Sequence, residues 1–110
     1  MSDADLASKL SSLDTTTKYK KGSIYYYQRK AIVTENAKRK ANGRCQLCNN
    51  PAPFNNKKGK PYLESHHVKW LSDNGLDSPN NTSALCPNCH RKMHILNLVE
   101  DQEILFSKIR

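Results

Sequence analysis

Leu85-Cys86-Pro87-Asn88-Cys89-His90-Arg91-Lys92-Met93-His94 is the stretch on which the reading of this chain turns. It packs a C-x-x-C pair, a proline suited to the first turn of a helix, and two histidines four residues apart into ten positions. The cysteine pair has a match in Cys45-Gln46-Leu47-Cys48, and the two pairs, 37 residues apart, account for all four cysteines. Two such turns can converge on one tetrahedral zinc, each giving two thiolates. This spacing suits a metal better than a disulfide framework, and no thioredoxin-like pattern supports a redox dithiol. A structural zinc in a small module can supply about 10–16 kcal/mol of apparent binding energy, comparable with a domain's whole stability. Here it would tie the start of the strand region to the start of a late helix.

The chain has four histidines, His66, His67, His90 and His94, and all lie within this module. A helix begins at Pro87 or Asn88 and runs to about Leu96, so His90 and His94 share one face as a ready metal-ligand pair. His66 and His67 end a strand predicted over Tyr62–Val68. Adjacent strand side chains point to opposite faces, so either one of them is structural or the strand bends there. Lone surface histidines mean little; four in this pattern beside a thiolate cluster point to a reactive metal site.

Working outward, Ser23 is a candidate N-cap for a helix whose buried face carries Tyr26, Val33, Ala37 and Ala41, with Asn42-Gly43 as its stop. Ile24 and Tyr25–Tyr27 read as packing residues, with an aromatic nucleic-acid platform as the alternative. Residues 49–60 are loop or hairpin tip. Residues 70–81 form a second long loop, and Thr82–Leu85 a short second strand. Residues 1–22 read as a mostly flexible N-terminal segment, with a short helix carrying Leu6, Leu10 and Leu13 as the alternative. Residues 23–97 form the single folded domain. The tail 98–110 is weakly helical and either caps the core or pairs with a second chain. Trp70 reads as a plug beneath the long loop, or else as a stacking partner for a base.

At 110 residues, 36% hydrophobic and with a mean hydropathy of −0.81, the chain can build one modest core that needs a staple. No apolar run approaches membrane-spanning length, and Met1-Ser2-Asp3-Ala4-Asp5 lacks the order of a signal peptide. The expectation is a cytoplasmic, reduced protein with no membrane partner. Its formal net charge of +8 equals that of residues 15–44 alone, where Lys18, Lys20, Lys21, Arg29, Lys30, Lys38, Arg39, Lys40 and Arg44 are opposed only by Glu35. Such a segment beside a neutral module suggests a phosphate-facing surface; the alternative is a solvated, solubilising run.

Taken together, Tyr62-Leu63-Glu64-Ser65-His66-His67-Val68, Asn81 and Leu85–His94 resemble the HNH endonucleases. The likeness is closest to the HNH domain of McrA-like, modification-dependent restriction enzymes, which share an Ala-Asn-Gly-Arg-Cys lead-in and an Ala-Pro-Phe, as in Ala41–Cys45 and Ala52–Phe54 here. The resemblance covers residues 28–95. It implies a small α+β domain, a zinc-stabilised ββα-metal fold, here with an added N-terminal helix. Residue by residue, it implies that His67 is the general base, that Asn81 ties down the loop and orients that base, and that His90 binds metal. His66 stands where many relatives carry a metal-binding Asp and colicin nucleases a His, and His94 matches a further colicin-type ligand. Ser65 for an apolar residue and Asn74-Gly75 for Gly-Gly are the departures.

Phosphodiester hydrolysis needs an activated water and neutralisation of developing charge, tasks suited to a neutral imidazole and a divalent ion. Imidazole ligation favours zinc, nickel or manganese, whereas the resemblance implies magnesium or manganese. Glu64 is on the strand face of His66, either as a partner for a ligand or as a plain surface carboxylate. Arg29, Lys30, Arg91 and Lys92 are candidate nucleic-acid contacts. The expected partner is double-stranded DNA, with a homodimer or an attached specificity module to supply what 110 residues lack. Restriction or phage defence is the implied setting. The competing function is a non-catalytic zinc module that binds nucleic acid, and RNA cleavage is a third reading.

Overall fold

The computed structural model describes all 110 residues. Its element order is α1 (Asp3–Ser11), α2 (Ile24–Ala41), β1 (Glu64–His67), β2 (Thr82–Leu85), α3 (Pro87–Ile95) and α4 (Val99–Ile109), with one-turn 3₁₀ segments at Leu71–Asp73 and Pro79–Asn81. The two strands pair antiparallel, with Glu64 opposite Leu85, Ser65 opposite Ala84, His66 opposite Ser83 and His67 opposite Thr82. A two-stranded ribbon is not stable alone, and here it is covered on both faces. Directly paired residues share a face, so the register sorts the strand by function. Ala84 meets Leu63 and the Ala37–Ala41 stripe of α2 on one side. On the other, Leu85 joins Val68, Met93, Leu105 and Ile109 between the sheet, α3 and α4.

Local chemistry explains the boundaries of α2. The Ser23 hydroxyl accepts from the Tyr26 N–H at 3.1 Å, and Asn42 closes the helix in the left-handed region at φ 52°. Small residues on its inner face let the helix lie close to the sheet. Val33, Ala37 and Ala41 are buried as expected. Tyr26 is only half-buried, and Ile24, Tyr25 and Tyr27 are exposed, so the packing role expected of the aromatic run fails. Tyr25 stacks on Tyr19 with centroids 5.8 Å apart, and the Tyr26 and Tyr27 rings meet edge to face at 5.2 Å.

Two further expectations are decided between their alternatives, and one is corrected. The segment 1–22 is not uniformly flexible: Ser2 and Asp5 form a capping box that starts α1, and Leu6 is buried where α1 packs on α2. The tail 98–110 is a full helix whose Leu105 and Ile109 complete the core, so it belongs to the domain. The first strand is shorter than predicted because Tyr62 leaves the ladder, donating its N–H to the Phe54 carbonyl and stacking on that ring at 4.7 Å. No helix is long and apolar enough to cross a membrane.

Candidate active site

The four cysteine sulfurs lie within 4.8 Å of one another. Cys48 Sγ and Cys86 Sγ are 4.0 Å apart, far beyond a disulfide's ~2.05 Å and close to the ~3.8 Å edge of a tetrahedron with 2.3 Å zinc–sulfur bonds. The first turn is tight because Asn49 takes a positive φ and its N–H donates to the Cys45 carbonyl at 2.9 Å. Gln46 fastens that turn to β2, with its N–H donating to the Ala84 carbonyl and its side-chain oxygen accepting from the Ala84 N–H. Cys86 caps α3, its sulfur accepting from the Cys89 N–H at 3.5 Å. At Cys45 burial pushes the thiol up, but several backbone N–H groups outweigh it and bring the thiol to about 7. Cys86 and Cys89 are raised, by burial first and by their sulfur neighbours. Four thiolates this close need a cation between them, and the donor set fits zinc.

The histidines converge at the open end of the sheet, around a cavity of about 350 Å³ bordered by Ser65, Trp70 and Ser72. His66, His90 and His94 offer nitrogens within 4.8 Å of one another. Glu64 accepts from the Tyr62 hydroxyl at 2.6 Å and contacts His90 Nδ1 at 2.9 Å; those hydrogen bonds hold its carboxyl below the usual range. An ionised carboxylate only accepts, so the His90 proton is on Nδ1 and the lone pair on Nε2. That nitrogen faces His94 Nε2 at 3.1 Å. His66 Nε2 is buried with no hydrogen-bond partner, an orphan that a metal would satisfy. Burial, then the neighbouring His90, His94 and His67, push His66 down to about 3, which leaves it neutral near pH 7. His94 is lowered as well, by burial first and then by the neighbouring His90 and Arg91. The three imidazoles fit one divalent ion.

His67 stands apart from that trio. The pleat sends it to the α2 face, where its Nε2 contacts Asp77 Oδ1 at 2.8 Å, yet as the last strand residue it still borders the cavity. No bulge is needed to bring both adjacent histidines to one site. Asn81 is buried and ties the loop: it accepts from the Lys69 N–H and donates to the Lys69 and Leu76 carbonyls. Its side chain makes no hydrogen bond to the His67 ring; that of Asp77 does. Trp70 is half-buried and stacks on His94 at 5.6 Å and 18°.

Arg29 is not available to DNA. It is buried, 3.4 Å from Asp77 Oδ2, donates to the Thr17 carbonyl and lies 4.8 Å from the Tyr19 ring centre. Lys92 pairs at 3.0 Å with Asp101 of α4, yet its side chain stays 44% exposed. Arg91 and Lys30 are exposed. Sequence reasoning missed Asp77 and Gln46, whose partners are distant in the chain.

A two-stranded ribbon with a long loop, a helix carrying H-x3-H and a thiolate cluster beneath is the ββα-metal arrangement. Residues 45–95 match the family model "HNH endonuclease". It is 43% identical over 84 residues to the Type IV methyl-directed restriction enzyme EcoKMcrA of Escherichia coli (strain K12), a match covering 76% of this chain and 30% of that protein. The solved structure of the Type IV phosphorothioation-dependent restriction endonuclease ScoMcrA superposes with a TM-score of 0.63 at 28% identity, covering 97% of this chain and 20% of that one. The chain thus spans less than a third of the length of either relative.

Proposed function

We propose that this chain is the nuclease domain of a restriction-type DNA endonuclease that hydrolyses phosphodiester bonds with the aid of one divalent metal. The observation that carries the reading is the division of labour at the sheet's end. His66, His90 and His94 bring ring nitrogens within 4.8 Å of one another, while His67 stays outside that set on the same cavity.

In this reading His67 accepts the proton of the attacking water, and Asn81 holds the loop that backs the site. His66, His90 and His94 would hold the ion; when bound, it supplies charge neutralisation at the phosphate. Glu64, set by Tyr62, keeps His90 in the tautomer a ligand needs. Cys45, Cys48, Cys86 and Cys89 hold zinc and carry no chemistry. Arg91 and Lys30 remain available for phosphates. The two relatives carry different modifications in their names, methyl and phosphorothioate, yet share this domain. Choice of target is therefore assigned to an attached module, and cutting to this one.

Nicking of supercoiled plasmid with added manganese, nickel or magnesium, against a chelator control, tests the reading. Metal-dependent cleavage abolished in His67→Ala at unchanged metal content is the expected result. Binding without any metal-dependent product would instead favour the non-catalytic module.

A further inference from the structure

Both histidines that must present a particular nitrogen do so against a carboxylate, but with opposite edges. His90 gives Nδ1 to Glu64 and keeps Nε2 for the metal trio. His67 gives Nε2 to Asp77 and makes no hydrogen bond within the chain through Nδ1. Asp77 is 7% exposed and Arg29 6% exposed, so this contact is shielded from water. Burial would raise the Asp77 carboxyl, but the His67 contact and the Arg29 charge outweigh it and hold the group below its ordinary range. Arg29 is itself fixed by the Thr17 carbonyl and the Tyr19 ring. It reaches Asp77 from α2, the helix that lies outside the matched residues 45–95.

We infer that Asp77, held by Arg29, is a positioning residue that fixes His67 as the Nε2–H tautomer and leaves Nδ1 as the basic nitrogen of the cavity. The inference rests on the nuclease reading above. An ionised carboxylate can only accept, so the ring nitrogen beside it carries the proton. As the water oxygen bonds to phosphorus and the P–O3′ bond breaks, the water proton passes to Nδ1. The 3′ oxygen leaves with the electron pair and takes a proton from solvent. The imidazolium so formed is paired with Asp77, much as the buried aspartate of a serine-protease triad supports its histidine.

Asp77→Asn and Asp77→Ala separate positioning from packing. The Arg29 guanidinium attracts the asparagine oxygen, which turns the amide N–H₂ toward His67 Nε2 and forces the proton to Nδ1. Alanine leaves the ring free to choose. Asn is therefore expected to be the more damaging change, although it is the better isostere. It should lower kcat by about 10² to 10⁴-fold with KM little altered, and alanine by less. Long-range proton–nitrogen NMR of the zinc-loaded full chain reads the tautomer without any reaction: Nε2–H in the parent and Nδ1–H in Asp77→Asn. An Nδ1–H tautomer in the parent, or equal losses in the two variants tracking a lowered Tm, would overturn the inference. A parent chain that cuts nothing with any metal would sink the nuclease reading itself, while the NMR result would still decide the tautomer.

Discussion

Gly75 shows how a single atom can be excluded by the backbone. A Cβ built there would lie 1.9 Å from the Lys69 carbonyl oxygen and 2.8 Å from that of Trp70. Main chain, not a side chain, blocks it, so no rotamer change gives relief. Gly75→Ala should therefore displace the loop and cost about 1–3 kcal/mol by urea denaturation. Because Asp77 follows two residues later, cleavage should fall by more than the stability loss explains. Wild-type stability in this variant would show the loop to be soft. The dipeptide Asn74-Gly75 was readable as a turn, but the reason for its glycine was not, since it depends on a carbonyl six residues back. His66 and His67 teach the same lesson: alternation predicted that they diverge, but only the register and the position of α2 explain how both reach one cavity. Asp73 and Asp77 both lay in a visible loop, and no local pattern distinguished the one that meets His67.

Elements were legible where their signals were local and obscure where they were tertiary. Ser23, Asn42-Gly43 and the proline after Cys86 each mark a helix end through chemistry confined to a few residues. The tail had only scattered apolar positions, yet α4 supplies Leu105 and Ile109, both essentially unexposed, beneath the sheet. Lys92 joins α3 to α4 through Asp101, which makes the last helix a brace for the histidine helix. Leu105→Ala is accordingly expected to cost about 2–5 kcal/mol in chemical denaturation. The loss should appear as lowered cooperativity of the whole domain, not as fraying of a terminus. An unchanged midpoint would mean that α4 is an appendage after all.

At the scale of the molecule, two features act globally: the cysteine cluster and the charge. Cys89→Ala should unfold the module, because three remaining thiols no longer complete the tetrahedral set that joins the first turn to α3, whereas His67→Ala should spare the circular dichroism spectrum. The charge is more divided than composition suggests. Of the nine basic side chains in residues 15–44, five are engaged internally: Lys18 by Asn74, Arg29 by Asp77, Arg39 by Glu35 and Asp3, Lys40 by the Ile109 carbonyl and Arg44 by the Asn49 carbonyl. Lys20, Lys21, Lys30 and Lys38 are exposed and unengaged. Each phosphate neutralised contributes about −0.9 to the log–log salt dependence of binding to duplex DNA. Replacing those four lysines by glutamine should therefore reduce the steepness of that slope by about 3 to 4, measured by titration at several salt concentrations. Replacing Arg39, Lys40 and Arg44 should change it far less, because their charges already serve the fold. The reverse ranking would place DNA on the other side of α2, and the phosphate surface would have to be redrawn from Arg39 outward.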